Sequence, residues 1–230
     1  LKTTLYIDLE SKPLTCRYLR SMNIPRSRCT SVIVNNLLYV FEQRTTLKRR
    51  FCEVYDIDDN SWSSLPLIKL LVEYPCVAAD EEIIYVTGMY EGKSYLQKYF
   101  TTTQEWGLPE ETTYGRKHPI FVDTTYSSAY YYDDHVFIFN DETQVFIYDT
   151  IEGEWEFRRQ HYKKVKDFQI CRIGTELRIA GGRLENNLTD FSINYLIDKD
   201  EWLRNTVKRP TPEKFLHFPV KGHSLVSNYQ

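Results

Sequence analysis

Little in this chain of 230 residues points to membranes, metals or crosslinks. No apolar run approaches the roughly 20 residues that a membrane-spanning helix needs, and no basic-then-apolar leader follows Leu1. Cysteine is sparse: Cys16, Cys29, Cys52, Cys76 and Cys171 are odd in number, irregularly spaced and without a CxxC pair. That pattern suits reduced thiols, so the expected compartment is the cytoplasm, with the nucleus also open. His118, His135, His161, His217 and His223 show no metal-ligand spacing with one another or with the cysteines, so neither a metal nor another cofactor is expected. No GxSxG, P-loop or glycine-rich dinucleotide motif is present. Acid pairs such as Asp58-Asp59 and Asp133-Asp134 have the composition of turns rather than of general acid–base machinery. A non-catalytic protein is therefore expected. The net charge of −3 and pI near 6.0 give no electrostatic case for nucleic acid or an anionic membrane. No stretch keeps a helical 3.6 period over three turns.

What the chain does have is aromatic and repetitive. Its four tryptophans, Trp62, Trp106, Trp155 and Trp202, are separated by 44, 49 and 47 residues. A tyrosine stands seven positions before each: Tyr55, Tyr99, Tyr148 and Tyr195. Four coincidences at one offset have a random chance of about one in a thousand once the offsets searched are counted. A period in the forties marks a blade-like β-repeat, and a repeat through nearly the whole length argues for one domain.

Each unit reads as four short strands. In the first full unit Cys29 to Val34 and Leu37 to Phe41 flank Asn35-Asn36, a pair that tolerates the positive φ of a tight hairpin. A charged loop from Arg44 to Arg50 follows, then Cys52 to Tyr55, a turn over Asp56 to Asn60, and Trp62 opening the fourth strand. The same order recurs three times. Leu5 to Leu9 reads as the outer strand of an incomplete unit, and Val220 to Val226 as the first strand of another. The boundaries are 1–22 (partial), 23–70, 71–115, 116–163, 164–208 and 209–230 (partial), within a single domain 1–230. Each Trp is expected to bury about 200 Å² between neighbouring units, worth roughly 5 kcal/mol.

The order of a Pro/Arg loop, a hydrophobic strand, a second strand ending in Gly-Gly, then Tyr-Asp and Trp resembles the Kelch repeat. The best instances are Arg26 to Phe41, Val54 to Trp62, Val145 to Trp155 and Gly181-Gly182. The double glycine survives only there, and the Asp after Tyr becomes Phe100 and Leu196 in two units. The resemblance implies an all-β, Kelch-type β-propeller of four-stranded antiparallel blades, six in number, of which the chain covers about five. It also implies a protein-interaction role, like the substrate-recognition domain of BTB–Kelch adaptors for cullin-type ubiquitin ligases. The partner would be a protein substrate or peptide degron on the loop face, with the cullin reached through a separate BTB region. A cytoskeletal, actin-associated or structural Kelch protein is the alternative, and a propeller enzyme is less favoured.

In that family, partners dock on the loops before the first strand and between the second and third. Counting back from the second strands gives Arg28, Tyr74, Tyr126 and Asp167, of which Arg28 matches the ligand-contacting arginine of the family's substrate receptors. The inter-strand loops add Arg44, with Lys48, Arg49 and Arg50, then Tyr90 and Arg183. The expected partner-binding residues are Arg28, Arg44, Tyr74, Tyr90, Tyr126 and Arg183. Arginine and tyrosine are enriched at binding hot spots, and an arginine fork suits a carboxylate or phosphorylated partner.

Overall fold

Two apolar runs joined by Asn35-Asn36 form the first full hairpin, with φ of 47° and 64° at the two asparagines. Positive φ at both central residues matches the right-handed twist of the flanking strands. The computed structural model describes residues 2–8, 11–13, 15–26, 29–42, 52–114, 118–119, 127–140, 143–158, 165–184, 187–188 and 192–205.

An N-terminal hairpin, β1 (Thr4–Asp8) and β2 (Thr15–Leu19), comes first. The first sheet follows: β3 (Cys29–Val34), β4 (Leu37–Glu42), β5 (Glu53–Asp56) and β6 (Ser61–Ser64). The second has β7 (Glu73–Ala79), β8 (Ile83–Tyr90), β9 (Lys93–Phe100) and β10 (Glu105–Trp106), with β11 (Glu110–Glu111) also on β9. A small pair, β12 (Thr113–Tyr114) and β13 (His118–Pro119), leads to the third sheet. That sheet holds β14 (Ser127–Tyr132), β15 (His135–Asn140), β16 (Val145–Asp149) and β17 (Trp155–Arg158). The fourth holds β18 (Val165–Ile173), β19 (Glu176–Leu184), β20 (Asn187–Leu188), β21 (Ser192–Leu196) and β22 (Glu201–Asn205). Neighbours in every sheet are antiparallel and follow chain order, apart from the short side strands β11 and β20. The described helical content is one short 3-10 turn, Ile197–Lys199, and no described helix is long and apolar enough to cross a membrane.

First strands touch in sequence, β3 with β7, β7 with β14 and β14 with β18, so the sheets stand side by side about their first strands. The result is an all-β, propeller-like arrangement. Between each pair of sheets lies a core fed by period-2 alternation. On β15, Val136 and Ile138 face the second sheet while Phe137 and Phe139 face the fourth, all at 0–3 % exposure. Each such side chain contributes about 1.5–3 kcal/mol of burial.

The repeat Tyr and Trp are direct partners across the third and fourth strands in all four sheets. Their ring centroids lie 5.0, 5.0, 4.9 and 5.0 Å apart in chain order. Five residues after each Tyr the backbone turns left-handed: Asn60 (49°), Gln104 (57°), Gly153 (72°) and Asp200 (50°). The tryptophans also pack between sheets, as expected: Trp106 meets Phe41 and Trp202 meets Phe139, each at 6.0 Å, and Trp155 packs against the core between the second and third sheets. The tyrosines are the buried members, at 0–1 % exposure, whereas only Trp106 is buried and Trp62, Trp155 and Trp202 are half-buried. The tyrosine comes from the third strand and reaches the preceding sheet, where a second-strand aromatic meets it. Tyr39 meets Tyr99 at 6.0 Å, Tyr85 meets Tyr148 at 6.3 Å and Phe137 meets Tyr195 at 6.5 Å. The tryptophan sits one strand further out and acts as a lid over the tyrosine ring.

In the first two sheets an indole N–H ties the sheet to the connector that leads into it. Trp106 Nε1 donates to the Pro66 carbonyl at 3.0 Å, and Trp62 Nε1 to the Arg20 carbonyl at 2.8 Å. Arg20 thus holds the place of Pro66, which puts β2 where β6 stands and β1 where β5 stands. Residues 4–8 are therefore a third strand rather than the outer strand expected. With no first or second strand beside it among the described residues, the hairpin leaves Leu5, Tyr6 and Tyr18 exposed.

Candidate functional site

Chain order in antiparallel sheets sorts the connections onto two ends. Tight turns within the first and third hairpins gather at one end, the turn end. Connections between second and third strands, and those leading into first strands, gather at the other, the loop end.

At the loop end of the first sheet, Arg26 precedes β3, Glu42 closes β4 and Glu53 opens β5. Arg26 Nη1 donates to Glu42 Oε2 at 3.0 Å, and Nη2 donates to Glu53 Oε2 at 2.9 Å. The Arg26 and Glu53 side chains have no solvent exposure and Glu42 has 9 %. Glu53 also accepts the backbone N–H groups of Asn23 (3.0 Å) and Ile24 (3.3 Å). The second sheet uses the same position differently. Gln97, two residues before Tyr99 as Glu53 is before Tyr55, accepts from Leu70 N at 2.8 Å and donates to Leu70 O at 2.6 Å. A polar side chain two before the repeat tyrosine thus clasps the incoming connector in both sheets.

Two expected binding residues, Tyr74 and Tyr90, lie at the loop end of the second sheet. Glu73 pairs with Met89 in the β7–β8 register, which sets Tyr74 and Tyr90 at the same edge, one on either side of that pair. Both are half-buried. Tyr90 closes β8 and packs edge-on against Tyr95, with ring centroids 6.3 Å apart. Tyr74 sits in an irregular stretch of β7 with φ of 50°, a left-handed conformation that a bulky residue adopts only under strain. Gly88 faces that stretch. A Cβ at Gly88 would lie 2.6 Å from Val72 Cγ2 and 2.7 Å from the Glu73 carbonyl. Arg28, Arg44 and Tyr126 fall outside the described residues, and so does the Arg183 side chain, although its backbone pairs with Lys166 and Leu188. In the third sheet Asn140 Oδ1 accepts Gln144 N at 3.0 Å and Asn140 Nδ2 donates to Gln144 Oε1 at 2.6 Å, tightening that loop. Among the described residues no group of three or more His, Cys, Asp or Glu side chains is placed to hold a metal.

No protein-family model matches the chain. No curated protein matches it either. Solved structures do: the structure of YjhT superposes with a TM-score of 0.63 over 82 % of this chain and 67 % of that one, at 12 % identity. At that identity the likeness is one of fold.

The buried triad of Arg26, Glu42 and Glu53 is what sequence reasoning missed. It picked Arg28 from the same loop by its spacing, whereas Arg26, two residues earlier, is committed to structure. Glu53 carried a usable signal. It is a charged residue on the strand that also holds the repeat tyrosine, at the position where the third and fourth sheets place Phe146 and Ile193.

Proposed function

We propose that the chain is a Kelch-type propeller domain of a protein-binding adaptor, and that its loop end receives a protein or peptide partner. The Tyr-to-Trp units account for the seams between sheets, which leaves the loops free to vary. The observation that carries the reading is the strained, half-buried Tyr74 at the loop end, with Tyr90 at the same sheet edge. Backbone strain of about 1–3 kcal/mol concentrates at binding and catalytic positions, because elsewhere it has nothing to offset it. Aromatic side chains on a rigid edge also bind with little entropy loss, and loops on rigid scaffolds carry recognition. Arg28, Arg44, Tyr126 and Arg183 enter this reading from the sequence alone; an arginine among the contacts would engage carboxylate or phosphate groups of the partner. The ring has six blades, with the N-terminal hairpin contributing to one of them. In the cell the domain works in the cytoplasm as the substrate receptor of a cullin-type ubiquitin ligase, reached through a separate BTB region.

Affinity capture tests the reading, with the wild-type chain beside a Tyr74→Ala/Tyr90→Ala variant and an Arg28/Arg44/Arg183 triple-alanine variant. A protein recovered by wild type, lost by both variants, and longer-lived when the adaptor is depleted supports it. Equal recovery of the same proteins by all three overturns the binding rim. A partner that binds normally but whose lifetime does not depend on the adaptor or on cullin activity overturns the ligase role alone.

A further inference from the structure

We draw no further inference here: the strongest candidate, the exposed apolar face that Leu5, Ile7 and Tyr18 form on the N-terminal hairpin, carries nothing because nothing in the structure shows what covers it.

Discussion

Arg26 and Glu53 meet at 2.9 Å with neither side chain exposed to solvent. The pair fastens the connector over residues 23–26 to a strand nearly thirty residues later, with Glu42 as a second acceptor at 3.0 Å. Removing one partner of a buried pair leaves a charge without compensation, at a cost of about 3–5 kcal/mol. Arg26→Met removes the counter-charge shared by two carboxylates and should reach that range in a urea titration. Glu53→Gln leaves Arg26 its bond to Glu42 and should cost less. The reverse order, or a loss under ~1 kcal/mol for Arg26→Met, would show that the pair does not fasten the connector.

The repeat tyrosines should matter more than the tryptophans that name the repeat. Tyr148 is 1 % exposed and packs on Tyr85 of the neighbouring sheet as well as on Trp155. Tyr148→Ala should lose about 3–5 kcal/mol, as for other fully buried aromatic rings. Trp155, half-buried at the outer edge, should lose less, about 1–3 kcal/mol. Denaturant midpoints of the two variants decide this, and a larger loss for Trp155→Ala would restore the tryptophan as the seam residue.

The four-strand unit was readable because its signals are local. Tyr and Trp seven apart fix a hairpin register, and Asn35-Asn36 or Asp133-Asp134 between apolar runs fixes a turn. Which aromatic ring is buried was not readable, because that depends on a strand contributed by another sheet. Leu5 to Leu9 gave no sign of standing third rather than last, since its place shows only through the Trp62–Arg20 bond across 42 residues. Arg28 and Arg26 look alike in the sequence. Only the position of Glu53 separates the structural arginine from the candidate ligand.

Gly88 should tolerate no side chain. Its φ is ordinary, so the constraint is space: a Cβ would lie 2.7 Å from the Glu73 carbonyl, a backbone atom that cannot rotate away. Gly88→Ala should cost about 1–3 kcal/mol and weaken any partner held by Tyr74, because the displaced backbone carries that residue. Gly92 is the control. It lies in the next turn with φ of 76° and nothing within 4 Å of an added Cβ. Gly92→Ala should cost about 1 kcal/mol through backbone strain and leave Tyr74 alone. Equal costs together with unchanged partner binding in both variants would remove Gly88 from the support of that edge.

Alkali should unfold the protein through its buried thiols and phenols. Burial pushes Cys52 and Cys76 from 9.0 up to about 12, and Tyr99 from 10.0 up to about 12. Cys76 is further enclosed by its contact with Thr87 Oγ1 at 2.9 Å. The native state therefore holds these protons after the unfolded chain has released them, and ∂ΔG/∂pH is negative wherever the native state binds more protons. The stabilisation is complete below the unfolded values and is lost as pH rises towards the folded ones. The urea midpoint should be level between about pH 7 and 8.5 and should fall from about pH 9 towards 12. A thiol reagent at about pH 8 should modify the exposed Cys16 quickly, with Cys52 and Cys76 reacting only through unfolding. A midpoint that holds or rises at about pH 10.5, or labelling of Cys76 as fast as that of Cys16, would contradict a closed seam between the second and third sheets.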